Sequence, residues 1–149
     1  MKNFKGKFII IAWLLILTCN SFSQQTIPIP TQAQLQWQNA ELAALVCWDL
    51  HAHDGEFYVQ SKARITPVED YNIFNPQKYD TDQWIKTLKE AGFKIAILTV
   101  SHETGFFHHQ SDATPYNMKA LKWQDGAGDI LRDFKTSCEK YGILPGVYI

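Results

Sequence analysis

Hydrophobic and polar positions along the chain alternate between the pattern of a buried strand and that of an amphipathic helix. Residues 44–50, 94–100 and 144–149 form short, nearly continuous apolar runs, which are typical of strands covered on both faces. Between these runs, the apolar residues of 80–92 and 126–142 recur at the helical period, and each segment carries acids near its start and ends in glycine. This order predicts an α/β fold with a parallel sheet, whose functional edge lies at the carboxyl ends of the strands.

The segments that flank the first strand carry weaker signals. Thr31 and Gln34 have the spacing of a capping box and predict a helix that runs to about Leu42. Residues 51–75 show no sustained period, so we expect a long loop there that carries recognition groups. The apolar face of the helix at 80–92 is predicted to consist of Trp84, Ile85, Leu88 and Ala91.

Residues 1–23 are typical of a secretory signal peptide. Three lysines precede the apolar run 8–17, and small polar residues follow it, so we expect cleavage after Ser23 and a secreted or periplasmic protein. The apolar run is about half as long as a membrane-spanning helix, and no integral span is expected once the leader is removed. A lipid anchor at Cys19 is a less favoured alternative, because the residues before it match the usual lipid-attachment pattern poorly.

Composition indicates a globular chain with one domain, which we expect to cover residues 24–149. Of the 149 residues, 46% are hydrophobic and 19% are charged, and the net charge is −1, or −4 without the leader. No basic stripe is present, so nucleic acid is not an expected partner. Closing a (β/α)8 TIM-type barrel takes about 250 residues. We therefore expect the N-terminal portion of such a barrel, about three β/α units, truncated in the third strand; a complete three-stranded α/β domain is the alternative.

Two cysteines follow the leader, Cys47 and Cys138. A secreted compartment would permit a disulfide between them. Both lie in apolar patterns, where free cysteine behaves as a small hydrophobic residue, so both are predicted to be free and buried.

Polar side chains follow the first two predicted strands. Asp49, His51 and His53 would lie on the same side of an extended segment, and His102 and Glu103 come directly after the second strand. Because the carboxyl ends of parallel strands share one edge, we expect these groups to meet in one pocket. Three further polar residues are predicted to be ordinary loop residues: Asp54, His108 and His109.

The residues alone leave two chemistries open. His51 and His53 have the spacing with which metal-dependent amidohydrolase barrels hold a divalent cation, further ligands coming from later strands. In a glycosidase, imidazole and carboxylate groups would instead bind sugar hydroxyls while aromatic faces pack on the ring, and hydrolysis would need two more carboxylates. The candidate aromatic faces are Trp48, Phe57, Tyr58, Phe106, Phe107 and Trp123, although each also fits a core position.

From about residue 35 onward, the chain resembles the N-terminal part of the barrel of glycoside hydrolase family twenty-nine, the retaining α-L-fucosidases. The resemblance rests on an ordered series of short motifs: Leu35-Gln-Trp37, Tyr71-Asn-Ile-Phe-Asn-Pro76, Asp82-Gln-Trp84, Ala91-Gly-Phe-Lys94, Ala96-Ile-Leu-Thr99, Gly105-Phe106, Lys122-Trp123, Gly128-Asp129 and Tyr141-Gly142. Family members commonly carry His-His-Asp-Gly-Phe after the second strand, with histidines that bind fucose hydroxyls. Residues 102–106 occupy this stretch here, with His102 kept and Glu103 in the second place.

The resemblance also implies departures from the family. The sugar-binding histidine of the first strand is replaced by Cys47, and His51 is expected to take its role with Asp49 beside it. Glu56 stands where many relatives carry a Glu-Trp pair. The expected substrate-binding residues are Trp48, Asp49, His51, Glu56, His102, Glu103 and Trp123. No catalytic residue is expected in the chain, because the family's nucleophilic aspartate follows the fourth strand and its acid/base comes later, and no cofactor or metal is implied.

The function that the resemblance implies is an exo-acting, retaining glycoside hydrolase that releases α-L-fucose, or a close analogue, from fucosylated oligosaccharides or glycoconjugates. These 149 residues alone are expected to be inactive. A non-catalytic secreted sugar-binding barrel remains the other alternative beside the metal-dependent amidohydrolase.

Overall fold

The computed structural model describes residues 27–53, 55 and 71–149. The chain divides into two compact units, residues 1–33 and 34–149, and the second carries the sheet and the site. The predicted leader with Cys19, and the predicted loop groups at Asp54, Glu56, Phe57 and Tyr58, lie outside the described residues. No helix in the described part of the chain is long and apolar enough to span a membrane.

The described residues form a three-stranded parallel sheet with helices between the strands. In chain order the elements are α1 (Gln32–Ala40), β1 (Ala43–Val46), α2 (Thr81–Glu90), β2 (Ile95–Thr99), α3 (Ile130–Tyr141) and β3 (Leu144–Tyr148). The strands lie in the order β1-β2-β3, and Ala44 pairs with Ala96, which pairs with Pro145. The predicted α/β fold with a parallel sheet is confirmed.

Side chains close to the helix ends account for where α2 and α3 begin and end. Asp80 accepts a hydrogen bond from the backbone N–H of Gln83 at 3.0 Å, and Asp129 accepts one from Arg132 at 2.8 Å. Each carboxylate satisfies an otherwise unpaired N–H of the first turn. Gly142 ends α3 with φ +63°, a conformation that glycine adopts without strain. The turn into β3 is therefore short.

The hydrophobic core lies between α2, α3 and one face of the sheet. The sheet contributes Ala96, Leu98 and Val100, and the two helices contribute Ile85, Ile130, Phe134 and Cys138. Cys138 is buried as predicted, and both Cys47 and Cys138 are free. Cys47 is exposed, however, because β1 ends at Val46, so its predicted burial is wrong. Ala91 is also exposed, since it lies beyond the last turn of α2.

The opposite face of the sheet is apolar and largely uncovered within the described residues. Leu45, Ile97 and Gly146 are in register across the three strands and point away from α2 and α3. Leu45 is 57% exposed, and Leu144 and Tyr148 are also exposed. An ideal Cβ on Gly146 would lie only 3.1 Å from Cγ1 of Ile97, so the residues of this row approach one another closely.

Candidate functional site

The chain after β1 turns sharply instead of continuing as an extended segment. Residues Leu50–Ala52 form a single 3₁₀ turn, and Asp49 caps it by accepting the backbone N–H of Leu50 at 2.8 Å. The predicted alternation of Asp49, His51 and His53 along one extended side is therefore wrong. The apolar run suggested a longer strand, but β1 ends at Val46, and the Asp49 side chain then stabilises the turn by offering the backbone N–H of Leu50 a local acceptor.

Asp49 connects the end of β1 to the loop that follows β2. Its Oδ1 accepts the hydroxyl of Thr104 at 2.5 Å, and its Oδ2 accepts the backbone N–H of the same residue at 3.2 Å. The Asp49 side chain is 12% exposed. Its carboxylate is therefore held by donors from two loops, and it fixes the position of one loop relative to the other.

His102 lies beside this carboxylate. Its Nδ1 is 3.7 Å from Oδ2 of Asp49, and its ring centroid is 6.2 Å from that of Tyr148 at the end of β3. We call Asp49, His102 and Tyr148 the strand-end cluster, because they come from the carboxyl ends of the three strands. Parallel α/β folds bind ligands at this edge. Neither Tyr148 nor Thr104 was among the predicted site residues; the position of Tyr148 in the last predicted strand was the available signal.

Glu103 follows His102 in a tight turn. The N–H of Gly105 donates to the carbonyl of His102 at 3.0 Å, and Gly105 has φ +73°. Glu103 is half-buried, and Thr104 is buried where it meets Asp49. His102 and Glu103 thus lie next to each other at the strand-end cluster.

His51 and His53 have different surroundings. The indole N–H of Trp48 donates to Nε2 of His53 at 2.9 Å, and the His53 ring lies 4.9 Å from that of Phe74. His51 is half-buried in the 3₁₀ turn. Within the residues that the structure describes, no three His, Cys, Asp or Glu side chains are grouped as metal ligands.

Trp48 and Trp123 belong to one aromatic cluster on the helix side of the sheet. Phe74 lies 5.1 Å from Trp48 and 5.3 Å from Trp123, with the second contact edge-on. Tyr79 contacts both indoles, and its hydroxyl donates to Asp133 at 3.2 Å. Burial, together with the Asp133 charge, raises the pKa of Tyr79. Both tryptophans are half-buried and pack against the hydrophobic core.

His108 is a buried core residue that the sequence reading assigned to an ordinary loop. Only 1% of it is exposed, its ring stacks at 6.2 Å on Trp48, and its backbone N–H donates to Val100 at 2.8 Å. Burial lowers its pKa to about 4. The preceding Phe106-Phe107 pair was the available signal, since an apolar run that continues past a strand end suggests a returning, packed segment.

Comparison with known proteins gives consistent matches. A family model described as Alpha-L-fucosidase matches residues 28–149. Alpha-L-fucosidase 1 of Arabidopsis thaliana is 31% identical over 123 residues, which cover 83% of this chain and 23% of the plant protein. A candidate alpha-L-fucosidase 1 of Oryza sativa subsp. japonica is 32% identical over 123 residues, which cover 83% of this chain and 23% of the rice protein.

Solved structures agree with the sequence matches. A crystal structure of a candidate α-L-fucosidase from Bacteroides thetaiotaomicron VPI-5482 has a TM-score of 0.80 at 55% identity, covering 83% of this chain and 28% of that one. A glycoside hydrolase 29 family member from an unknown rumen bacterium has a TM-score of 0.72 at 33% identity, covering 81% and 21%. The chain therefore spans about a quarter of the length of the relatives it matches.

Proposed function

Because this chain belongs to the α-L-fucosidase family, we propose that it forms the first part of the catalytic domain of an enzyme that releases α-L-fucose, or a close analogue, from glycans. The observation that carries the proposal is the strand-end cluster. Asp49, His102 and Tyr148 bring a carboxylate, an imidazole and a phenol to the edge of a parallel sheet where such folds bind ligands. Hydroxyl-rich ligands such as sugars bind to donors and acceptors of the kind that His102 and Tyr148 offer, and the Asp49 carboxylate lies beside His102.

We further propose that the three strands are the first three of a (β/α)8 barrel. Sequential parallel strands that are hydrogen-bonded neighbours are the repeating unit of such a barrel. The apolar row of Leu45, Ile97 and Gly146 would then face the barrel interior, while α2 and α3 form part of the outer layer. In this proposal residues 24–149 belong to the catalytic barrel, and residues 1–23 are a signal peptide that directs the protein to the periplasm or outside the cell.

In this proposal, the side chains at and around the strand-end cluster bind the sugar. His102 offers an imidazole nitrogen and an ionised Glu103 offers carboxylate oxygens, so both can take part in hydrogen bonds with sugar hydroxyls. His51 supplies a further imidazole from the turn after β1. Trp48 and Trp123 support the site through the aromatic cluster, and Glu56 would add a carboxylate from the following loop.

The proposed reaction is a double displacement with retention at the anomeric carbon. A carboxylate attacks the anomeric carbon as an acid protonates the leaving oxygen; water then releases the sugar with the original configuration. None of the proposed sugar-binding residues is assigned as the attacking carboxylate or as the acid that protonates the leaving oxygen. We therefore propose that the 149 residues bind part of the sugar but do not hydrolyse the glycosidic bond.

An assay with 4-nitrophenyl α-L-fucoside tests this function. We expect turnover by the full-length protein and only the buffer rate from the 149-residue chain. His102→Asn in the full-length protein should lower kcat/KM about 10- to 100-fold, since it removes a hydrogen bond to the sugar. His109→Asn is the matched control and should stay within about twofold of the wild type.

Three results would contradict the proposal. Turnover by the repurified 149-residue chain would show that the reaction needs no further strands. Fucose binding without turnover by the full-length protein would favour the non-catalytic sugar-binding barrel. Equal losses in the His102 and His109 variants would remove His102 from the site.

A further inference from the structure

We propose that Asp49 is a positioning residue that keeps the proton of neutral His102 on Nδ1, so that Nε2 is presented as a hydrogen-bond acceptor to the ligand. The inference deepens the proposed function and rests on it for the identity of the ligand. The assignment of the proton itself concerns only residues that the structure describes. Asp49 would then contribute to sugar binding through His102 and would not contact the sugar.

The Asp49 carboxylate already accepts three hydrogen bonds from the protein. Oδ1 accepts hydrogen bonds from the backbone of Leu50 and the hydroxyl of Thr104, and Oδ2 accepts the backbone N–H of Thr104. All three partners are donors, which suits an ionised carboxylate because it can only accept. The carboxylate is therefore held in place at the edge of the sheet and cannot rotate toward a ligand without losing these bonds.

The negative charge of Asp49 determines which nitrogen of the His102 ring carries the proton. Nδ1 of His102 lies 3.7 Å from Oδ2 of Asp49. A neutral imidazole carries one proton, and a carboxylate near one ring nitrogen stabilises the tautomer that has the proton on that nitrogen. Nε2 is then unprotonated. It is the ring nitrogen farther from the carboxylate, and the His102 side chain is 27% exposed, so a ligand can reach the ring.

Groups other than Asp49 also hold His102 in place. The Tyr148 ring lies 6.2 Å away across the sheet edge, and the turn from His102 to Gly105 fixes the backbone. Loss of the Asp49 charge would therefore change the tautomer of the imidazole more than its position. A role for Asp49 in folding alone, through Thr104, predicts no such change.

NMR of ¹⁵N-labelled histidine side chains tests the tautomer of His102 without any ligand. The full-length protein is labelled with ¹⁵N-histidine and recorded at pH 8, with His102→Asn used to assign the signal. We expect the His102 signal of the wild type to show a protonated Nδ1 and an unprotonated Nε2. In Asp49→Asn, the amide oxygen in place of Oδ1 still accepts the Thr104 hydroxyl, but the NH2 in place of Oδ2 cannot accept the Thr104 N–H and places a donor near Nδ1 of His102. The His102 proton should therefore move to Nε2.

Asp112→Asn is the matched control, because Asp112 is an exposed acid whose partner is Lys119, and it should leave the His102 signal unchanged. Thr104→Val removes one donor to Asp49 but keeps the Asp49 charge, and it should retain the Nδ1 proton. A wild-type signal with the proton on Nε2, or the same tautomer in wild type and Asp49→Asn, would overturn the proposal. If Asp49→Asn does not fold, the wild-type and Thr104→Val spectra still show whether the His102 proton is on Nδ1.

A double-mutant cycle on fucoside hydrolysis tests how Asp49 acts. Asp49→Asn should raise KM about 10-fold with a smaller change in kcat, since loss of the Nε2 acceptor removes about one hydrogen bond to the ligand. In the His102→Asn background, the same substitution should change KM less than about twofold. Equal effects in both backgrounds would overturn the proposal. If the wild-type protein has no fucosidase activity, the proposed function is wrong. The NMR experiment tests the His102 tautomer independently of that activity.

Discussion

The His108 side chain is a titratable group in an almost entirely apolar environment. Its ring lies 5.4 Å from Phe106 and 6.1 Å from Phe74, and neither ring nitrogen has a hydrogen-bond partner among the described residues. Burial lowers its pKa from 6.5 to about 4; the charge of Asp49 opposes this shift, whereas His53 and His109 add to it. The folded protein therefore keeps His108 neutral under conditions where the unfolded chain protonates it.

This difference predicts a loss of stability in mild acid. Between about pH 6.5 and pH 4 the unfolded chain binds a proton that the folded protein excludes, so the free energy of unfolding falls as the pH falls through this window. The expected total is about 3 kcal/mol. His108→Leu should remove this part of the pH dependence in urea unfolding followed at pH 7.5 and 4.5. Met118→Leu, which changes a buried side chain that does not titrate, is the control and should keep the wild-type slope; an unchanged slope in His108→Leu would contradict this explanation.

At the residue scale, the sequence predicts which side chains lie close together more reliably than it predicts the orientation of each side chain. Asp49 and His102 could be brought together from the rule that parallel strands end at one edge, and the structure places them 3.7 Å apart. The orientation of His53 could not be predicted, because it depends on a turn that the Asp49 side chain itself creates. His108 could not be assigned to the core because its burial depends on Trp48 and Phe74, which are distant in sequence.

At the element scale, Asp129 both starts α3 and anchors the preceding loop. Its Oδ1 caps the helix, while its Oδ2 accepts the backbone N–H of Gln110 at 3.1 Å. Asp129→Ala should therefore destabilise the protein by about 2 kcal/mol, the sum of a lost cap and a lost loop contact. Asp80→Ala removes the corresponding cap of α2 and should cost about 1 kcal/mol. Urea midpoints measure both, and equal losses would show that the Gln110 contact contributes nothing.

The helices could be predicted more closely than the segments around them. Acid caps and the helical period set the start of α2 within one residue of its observed position, whereas the helix predicted over 126–142 begins only at Ile130, after its cap Asp129. The first strand was predicted three to four residues too long, because Trp48 and Leu50 are apolar but pack into the interior after the strand has ended. Gln124 and Asp125 have φ of 51° and 54°. Aspartate is among the residues that adopt this left-handed conformation more often, but glutamine gives no signal of it.

At the scale of the whole molecule, the two faces of the sheet differ in what covers them. One face packs on α2 and α3, whereas the face that carries Leu45, Ile97 and Gly146 has no covering layer among the described residues. Parallel sheets are almost always covered on both faces. The hydrophobic pattern predicted this, since the strands are apolar at consecutive positions, but no pattern within these residues specifies what lies against the second face.

The proposed barrel makes a definite prediction for that face. In a closed barrel Leu45 would pack against Ile97 and the strands opposite, so Leu45→Lys would place an ammonium group in an apolar interior. We expect a loss of at least about 3 kcal/mol in the unfolding free energy of the full-length protein. Thr136→Lys, on the exposed side of α3, is the control and should change it by less than about 0.5 kcal/mol. If the two lysine variants unfold at the same urea concentration, Leu45 faces solvent and the sheet does not close into a barrel at this strand.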